Sequence, residues 1–190
     1  MESEAYQPKA EDYGIALYRR FLDGDIESFT VLVKTYKDAL IRFIAVIIRN
    51  ETDAEDVAID AFAVLMSAHK KCHENVSFKT FLFAIGKNLA FKYLRKHRKK
   101  PLSLSEYNFD DMLPMQSPSL EDGFFREHDK ACVHACMGHL KPLHRSVLYL
   151  LYYENVSYAE AGLAMGKSEG QIRGLAYRAK EHLKNLLQKT

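Results

Sequence analysis

Apolar residues recur at steps of three and four along much of the chain, and few segments alternate as strands do. The first such stripe follows Asp25, a residue suited to cap a helix. It consists of Phe29, Leu32, Val33, Tyr36, Leu40, Phe43, Ile44 and Ile47. This spacing predicts one long amphipathic helix. The motif TDAE at 52–55 reads as a capping box, which predicts that a second helix begins at Thr52 and runs to about Cys72.

After the polar break HENVS, helical spacing resumes at Phe78, Phe81, Leu82, Ile85 and Leu89. Three prolines between residues 101 and 118, with Ser and Asp around them, indicate an irregular linker. Four shorter helices are then predicted: over about 124–140, from near Pro142, and after capping boxes at 157–160 and 168–171. We therefore expect an all-α protein with two helical domains, 12–100 and 123–190, joined by a flexible acidic linker, 101–122.

The charge balance hides a strong asymmetry along the chain. The net charge of +2 says little about partners. Between residues 87 and 100, however, there are seven basic side chains and no acid, whereas residues 101–123 contain five acids and no Lys or Arg. A basic run of this kind is typical of a targeting signal, a membrane-surface patch or a nucleic-acid contact.

Several classes of protein fit the sequence poorly. The longest apolar run, FIAVII, is far shorter than the roughly 20 residues that span a bilayer. The acidic N-terminal stretch has no apolar core like that of a signal peptide. Three cysteines, an odd number, do not suggest a secreted disulfide framework. We expect a cytoplasmic protein without membrane insertion.

The two capped helices on either side of Gly166 form a helix-turn-helix pattern. Their predicted inner faces contain Leu163, Met165, Ile172, Leu175, Ala176, Ala179 and Leu183. The predicted outer face contains Lys167, Ser168, Gln171, Arg173, Gly174, Tyr177 and Arg178. Such side chains can contact base edges or phosphates in a major groove. The pattern alone is also compatible with an ordinary helical hairpin that has a solvated polar face.

Four potential zinc ligands, His128, Cys132, Cys136 and His139, share one side of a predicted helix. A single helix rarely surrounds one ion tetrahedrally, and small cysteines suit helix packing. We therefore favour a packing role and expect no metal or cofactor. A metal or redox sensor stays open as a secondary hypothesis.

Four stretches, in order, resemble the extracytoplasmic-function sigma factors, which are bacterial RNA polymerase specificity subunits. DGDIESFTVLVKTYKDALIRF resembles the opening helix of sigma region two, and TDAEDVAIDAFAVL resembles its polymerase-binding helix. FKTFLFAIGKNLAFKYLRKHR is similar to the promoter-melting helix. LKPLHRSVLYLLYYENVSYAEAGLAMGKSEGQIRGLAYRAKEHL is similar to region four, the helix-turn-helix domain.

The resemblance implies a non-enzymatic factor that binds core RNA polymerase, recognises two promoter elements and promotes strand opening. Core polymerase contacts are implied for Asp53, Glu55, Asp56 and Asp60. Contacts with the minus-ten element are implied for Asn88, Phe91, Lys92, Arg95 and Lys99. Contacts with the minus-thirty-five element are implied for Ser168, Gln171, Arg173, Gly174, Tyr177 and Arg178. Many family members are held inactive by an anti-sigma factor, and the sequence leaves open whether one binds here.

The chain departs from the family pattern at several positions. Phe81 replaces the usual Trp, and Lys92 replaces a usual Asp, which changes the local charge. Gly162 and Gly174 stand within predicted helices, where a glycine costs roughly 1 kcal/mol relative to alanine, so we expect them to loosen region four. Two rival hypotheses are a stand-alone regulator that binds duplex DNA, usually as a dimer, and an adaptor that uses its helices only for protein contacts.

Overall fold

The structure, a computed structural model, describes residues 12–68, 76–97 and 130–188. These residues form helices and connecting turns without a strand, which confirms the all-α prediction. The helices are α1 (Tyr13–Leu22), α2 (Ile26–Ile48), α3 (Glu51–Ala68), α4 (Phe78–His97), α5 (Lys130–Met137), α6 (Pro142–Tyr152), α7 (Tyr158–Met165) and α8 (Glu169–Leu187). Among them, none combines the length and apolar character needed to cross a membrane.

The N-terminal half packs α1, α3 and α4 around α2. The predicted stripe of α2 supplies its core, with Leu32, Leu40, Phe43, Ile44 and Ile47 all buried. Each such side chain contributes roughly 1.5–3 kcal/mol by leaving water. Where α4 crosses α2, a Cβ added at Gly86 would stand 2.7 Å from Leu40 Cδ1. The absence of a side chain at residue 86 therefore sets how closely α2 and α4 approach.

The N-terminal half differs from the sequence-based expectation in two places. The helix α1 was not predicted, although Asp12 caps it by accepting a hydrogen bond from the Ile15 amide at 3.0 Å. The predicted capping box at Thr52 is wrong, because α3 already begins at Glu51. Asn50 lies before the helix instead, and its side-chain oxygen accepts from the Asp53 amide at 3.3 Å. The TDAE motif is present at 52–55, but Asn50, two residues before it, caps the helix.

The C-terminal half consists of α5 to α8, and both of its predicted capping boxes are confirmed. Ser157 and Glu160 cap α7, while Ser168 and Gln171 cap α8. The predicted inner face of α8 is buried throughout: Ile172, Leu175, Ala176, Ala179 and Leu183. The prediction for α7 is wrong at Leu163, which is 52% exposed. Its buried residues are Ala161, Gly162, Ala164 and Met165.

Gly162 tightens the turn between α7 and α8 rather than loosening it. A Cβ at this position would stand only 2.7 Å from the Lys167 carbonyl oxygen. The Lys167 amide donates to the Gly162 carbonyl at 2.9 Å, and Gly166 ends α7 in the left-handed conformation with φ 66°. Gly174 is different, because a Cβ there would meet only guanidinium nitrogens of Arg178, at 3.8 Å and beyond.

The two glycines are therefore expected to respond oppositely to alanine. Gly162→Ala should lower the free energy of unfolding by roughly 1–3 kcal/mol, because the turn backbone has to move. Gly174→Ala should raise it by up to about 1 kcal/mol, because alanine favours the helix and meets no backbone. Urea denaturation of each variant beside the parent measures both changes. Equal effects at the two positions would contradict the tight turn.

The two halves share one apolar core. The rings of Phe43 and Phe83 stack with centroids 4.7 Å apart, and Tyr149 of α6 lies 5.9 Å from Phe43. Helix α6 packs on α2, and α7 packs on α4. An ion pair between Lys79 and Glu154 adds a polar contact across the same junction. The predicted linker between the halves, 101–122, lies outside the described residues.

Arg145 of α6 forms hydrogen bonds within the buried junction between the two halves. Its side chain is buried and donates to the carbonyls of Val46 and Ile47 at the end of α2. It also donates to the carbonyls of Gly138 and Leu140, after α5, at 3.1 and 2.9 Å. Burial, with Arg49 nearby, lowers the pKa of Arg145 to about 10, so the guanidinium stays charged at neutral pH. One cation thus satisfies carbonyl groups from both halves, where helix dipoles favour positive charge.

Candidate nucleic-acid interface

The basic end of α4 presents one polar face to solvent. Asn88, Lys92 and Arg95 are exposed, and Phe91 is half-buried beside them. Because they are three or four residues apart, they lie along one side of the helix. We call these four residues the α4 face. Lys99, which was predicted to extend this surface, lies outside the described residues.

Lys87 has a different environment from the rest of the basic run. Its ammonium group donates to the Met165 carbonyl, at the end of α7, at 3.3 Å. Burial, with a smaller effect from Lys167, lowers the pKa of Lys87. This residue joins α4 to the helix-turn-helix and is not part of the α4 face. No local sequence pattern indicates this contact, because the two residues are far apart in the chain.

Tyr93 connects α4 to the acidic start of α3. Its hydroxyl donates to Asp53 Oδ2 at 2.7 Å, and this hydrogen bond raises the pKa of the phenol, with burial and the Asp56 charge in addition. The ring of His97 stacks on Tyr93 with centroids 4.0 Å apart. Asp53 is therefore engaged within the protein, unlike the other predicted acids. Tyr93 was not predicted as a functional residue.

The remaining acids form an exposed surface on α3. Glu55, Asp56 and Asp60 are exposed, and Ile59 between them is 62% exposed. The side chains of Ile59, Phe62 and Val33 line a shallow groove between α3 and α2. We call Glu55, Asp56, Ile59 and Asp60 the α3 face. The α3 face thus combines three carboxylates with one exposed apolar side chain.

The outer surface of α8 contains the other predicted set. Ser168 and Gln171 are engaged with each other in the capping box, at 3.2 Å for the amide of Gln171 and 2.9 Å for that of Ser168. Gly174, Tyr177 and Arg178 follow along the half-buried side of the helix. The surface therefore combines amide, aromatic and guanidinium groups, which suit contacts with a DNA groove.

Arg173 is held by two residues that were not predicted as functional. Its Nη2 and Nε donate to Glu169 Oε1 at 2.6 and 3.2 Å. Its guanidinium carbon lies 4.5 Å from the centre of the Tyr158 ring. Burial raises the pKa of Tyr158, and the positive charge of Arg173 opposes that shift. The spacing of Glu169 and Arg173, one helical turn apart, was the available sequence signal.

The secondary metal hypothesis involves residues only partly covered by the structure. His128 and the side chain of Cys132 lie outside the described residues. Cys136 is buried in the small core of α5, α6 and α8, and His139 is exposed. Across the described ranges, no three His, Cys, Asp or Glu side chains lie close enough to hold a metal ion.

Two family models match the chain, in the order that the two halves follow. The model for sigma-70 region 2 matches residues 32–100, which include the α3 and α4 faces. The model for sigma-70 region 4 matches residues 130–183, which include the helix-turn-helix. Together they match about two thirds of the chain.

Two curated relatives illustrate the similarity, each matched over most of its own length. The RNA polymerase sigma-H factor of Pseudomonas aeruginosa is 26% identical over 90% of this chain and 92% of its own. The ECF RNA polymerase sigma factor SigM of Bacillus subtilis is 26% identical over 82% of this chain and 92% of its own.

Solved structures share the fold. CnrH, in complex with the cytosolic domain of CnrY, superposes with a TM-score of 0.67 at 24% identity, over 94% of this chain and 99% of that one. RpoE of Bartonella quintana, in complex with the anti-sigma factor NepR, gives 0.62 at 20% identity, over 86% of this chain and 98% of that one.

Proposed function

The chain belongs to the extracytoplasmic-function group of RNA polymerase sigma factors, and from this premise we propose how its surfaces divide the work of transcription initiation. The N-terminal half, 12–100, binds core RNA polymerase and opens the minus-ten element. The C-terminal half, 123–190, binds the minus-thirty-five element, and residues 101–122 connect them. The polymerase performs the phosphodiester chemistry, so this chain is not an enzyme. It acts in the cytoplasm, where polymerase and promoter DNA are found.

One observation supports this division most strongly. Within the N-terminal half, an exposed acidic surface on α3 and an exposed basic surface on α4 lie on adjacent, packed helices. Negative charge on α3 opposes DNA binding and favours a basic protein partner, whereas positive charge on α4 favours the phosphate backbone. A stand-alone DNA-binding regulator would have no need of the α3 face. An adaptor that contacts only proteins would have no need of the α4 face.

The α3 face is the proposed contact with core polymerase. Glu55, Asp56 and Asp60 supply the charge, and Ile59 supplies an apolar group that a partner can bury. Asp53, the fourth predicted polymerase contact, also accepts the Tyr93 hydroxyl. We assign Asp53 to fixing α4 against α3, so that polymerase binding and DNA binding occur on one rigid unit.

Reversing charge on the α3 face is expected to weaken polymerase binding. The variant Asp56→Lys, Asp60→Lys should lower the affinity for core polymerase at least about tenfold, because like charges then meet across the interface. Fluorescence anisotropy of the labelled protein with purified core polymerase measures this. The control Glu181→Lys changes an exposed acid on α8, where no such loss is expected. Equal loss in the control would instead indicate a general charge effect.

The α4 face is the proposed binding surface for the displaced strand of the minus-ten element. Lys92 and Arg95 attract its backbone, Asn88 can hydrogen-bond an unstacked base, and Phe91 can stack on one. Lys92 adds positive charge where the family usually has a carboxylate. Lys99 would extend the same DNA-binding surface. Because Lys87 is used in the contact with Met165, it does not contribute.

The outer surface of α8 is the proposed contact with the minus-thirty-five element. Ser168 and Gln171 organise the start of the helix, where backbone amides favour a phosphate. Arg173 reads a base, and Tyr177 and Arg178 contact the backbone. Gly174 offers only its backbone there, so the preferred bases should differ from those that a serine would select.

Simultaneous binding of both promoter elements requires the two halves to separate. The two elements lie about 25 base pairs apart, which is roughly 85 Å along B-form DNA. In the structure, α4 and α7 are in direct contact, through Lys87 and Met165 among others. The packed arrangement therefore represents a state not engaged with a whole promoter. An anti-sigma factor, of the kind bound to the fold relative RpoE, is a proposed partner for this state.

A further inference from the structure

The guanidinium of Arg173 contacts two neighbouring side chains, Glu169 and Tyr158. Glu169 holds one edge of its guanidinium, through Nε and Nη2, and the Tyr158 ring lies 4.5 Å from its carbon on one face. The three side chains come from the first turn of α7 and the first two turns of α8. The base-reading side chain of the helix-turn-helix therefore has a defined orientation, set by residues outside the usual recognition positions.

Stability explains only part of this arrangement, because the helix dipole favours an acid in the first turn of α8 and Glu169 pairs with Arg173 one turn later. The side chains of Arg173 and Glu169 are 46% and 47% exposed. Exposed pairs of this kind contribute little to folding, because water screens the attraction. The carboxylate also lies on the surface proposed to approach DNA, where it repels phosphates. A residue that costs affinity on this surface is better explained by a gain in selectivity.

The geometry suits a particular base. Guanine presents two acceptors, O6 and N7, in the major groove, and arginine binds both with a pair of parallel donors. Glu169 Oε1 accepts from Nε and from one N–H of Nη2, so the second N–H of Nη2 and the neighbouring N–H of Nη1 form the edge that faces away from this carboxylate. Fixing this edge in advance lowers the cost of ordering a long side chain when DNA binds.

We infer that Glu169 and Tyr158 are positioning residues that direct Arg173 toward a guanine of the minus-thirty-five element. This inference rests on the proposed function of α8. It assigns a promoter-specificity role to two residues that lie outside the predicted DNA contacts. Glu169 also disfavours DNA at which Arg173 does not find its guanine, since the carboxylate then meets the phosphates without a compensating base contact.

The test uses the full chain assembled with core polymerase and a promoter library randomised in the upstream element. Bound or transcribed promoters are sequenced for the parent, Arg173→Ala, Glu169→Gln and the control Glu181→Gln. At one position, Arg173→Ala should lower the guanine preference about tenfold. Glu169→Gln should lower it three-fold or more at that same position while raising affinity for unrelated DNA. The control and the minus-ten preference should not change.

Tyr158 provides an independent readout. Tyr158→Phe keeps the ring face and should retain the guanine preference, whereas Tyr158→Ala should reduce it at the same position. Circular dichroism and thermal melting of each variant establish that α7 and α8 are intact. A merely structural role would change affinity for all sequences uniformly and would leave the base preference unchanged.

The possible results distinguish failure of the positioning role from failure of the proposed function. If the parent initiates specifically but Glu169→Gln keeps the parental preference at every position, the positioning role is wrong and the sigma-factor assignment stands. If the parent never directs core polymerase to any promoter, the proposed function is wrong, and the inference falls with it.

Discussion

Replacing Arg145 with methionine is expected to lower the free energy of unfolding by about 3 kcal/mol or more. The buried guanidinium donates to the carbonyls of Val46, Ile47, Gly138 and Leu140. Methionine has a similar length but no donor, so these carbonyls lose their side-chain partner. Leaving a buried polar group without a partner costs about 1–3 kcal/mol each, although water that enters after local rearrangement recovers part of this. Urea denaturation followed by circular dichroism measures the change.

Two comparisons make the result for Arg145 interpretable. Arg145→Lys keeps the charge but supplies a single ammonium group, so it should fall between the parent and the methionine variant. Lys34→Met removes an exposed cation from α2 and should change stability by less than about 0.5 kcal/mol. A loss below about 1 kcal/mol for Arg145→Met would contradict the central role of this residue at the junction between the halves.

The double variant Asn88→Ala, Arg95→Ala is expected to lose promoter opening at least about tenfold while still binding core polymerase. Both side chains are exposed on the α4 face, so their removal leaves the core intact. The lost hydrogen bond from Asn88 to a held base costs roughly 1 kcal/mol, and the lost phosphate contact of Arg95 adds to that cost. Removing one phosphate contact should also reduce the salt dependence of binding by about one ion. Reactivity of unpaired thymines in the minus-ten element measures opening directly.

The control for the α4 face is Lys34→Ala, which removes one exposed positive charge from α2. It should open promoters as the parent does. If the double variant opened promoters normally, the α4 face would not be the surface that binds the displaced strand. If it lost polymerase binding to the same extent as opening, the two functions would not be divided between α3 and α4.

The predictable features are local ones. The stripe on α2 and the inner face of α8 appeared in the sequence because each helix buries one side, so that apolar residues recur with the helical period. The two capping boxes of α7 and α8 were recognisable because their partners are three residues apart. The motif at Thr52 failed because Asn50, two residues earlier, occupies the capping position.

The unpredicted features depend on contacts between distant parts of the chain. Lys87 reaches Met165, Arg145 reaches Val46 and Ile47, and no local pattern specifies either pairing. Leu163 was assigned to the core because it is apolar. The close approach at Gly162 instead turns Ala161, Ala164 and Met165 inward.

The same limit applies to the candidate site. Its chemistry could be assigned from residue types and from family resemblance, and the exposed positions of Glu55, Asp56, Asp60, Asn88 and Arg95 are compatible with that assignment. What the sequence could not provide was the set of side chains that position the functional ones. Only the distances in the structure show that Tyr93 contacts Asp53. The same holds for the contacts of Glu169 and Tyr158 with Arg173.

Transcription with purified core RNA polymerase, from the bacterium that encodes the chain, tests the central claim most directly. The protein is added to the core enzyme with a library of promoter fragments, and the transcripts are sequenced. We expect transcripts with defined start sites that require both the chain and the core enzyme, and that fall at least about tenfold with Asn88→Ala, Arg95→Ala. Tight binding of duplex DNA by the chain alone, with no specific initiation by the core enzyme, would contradict its role as a sigma factor.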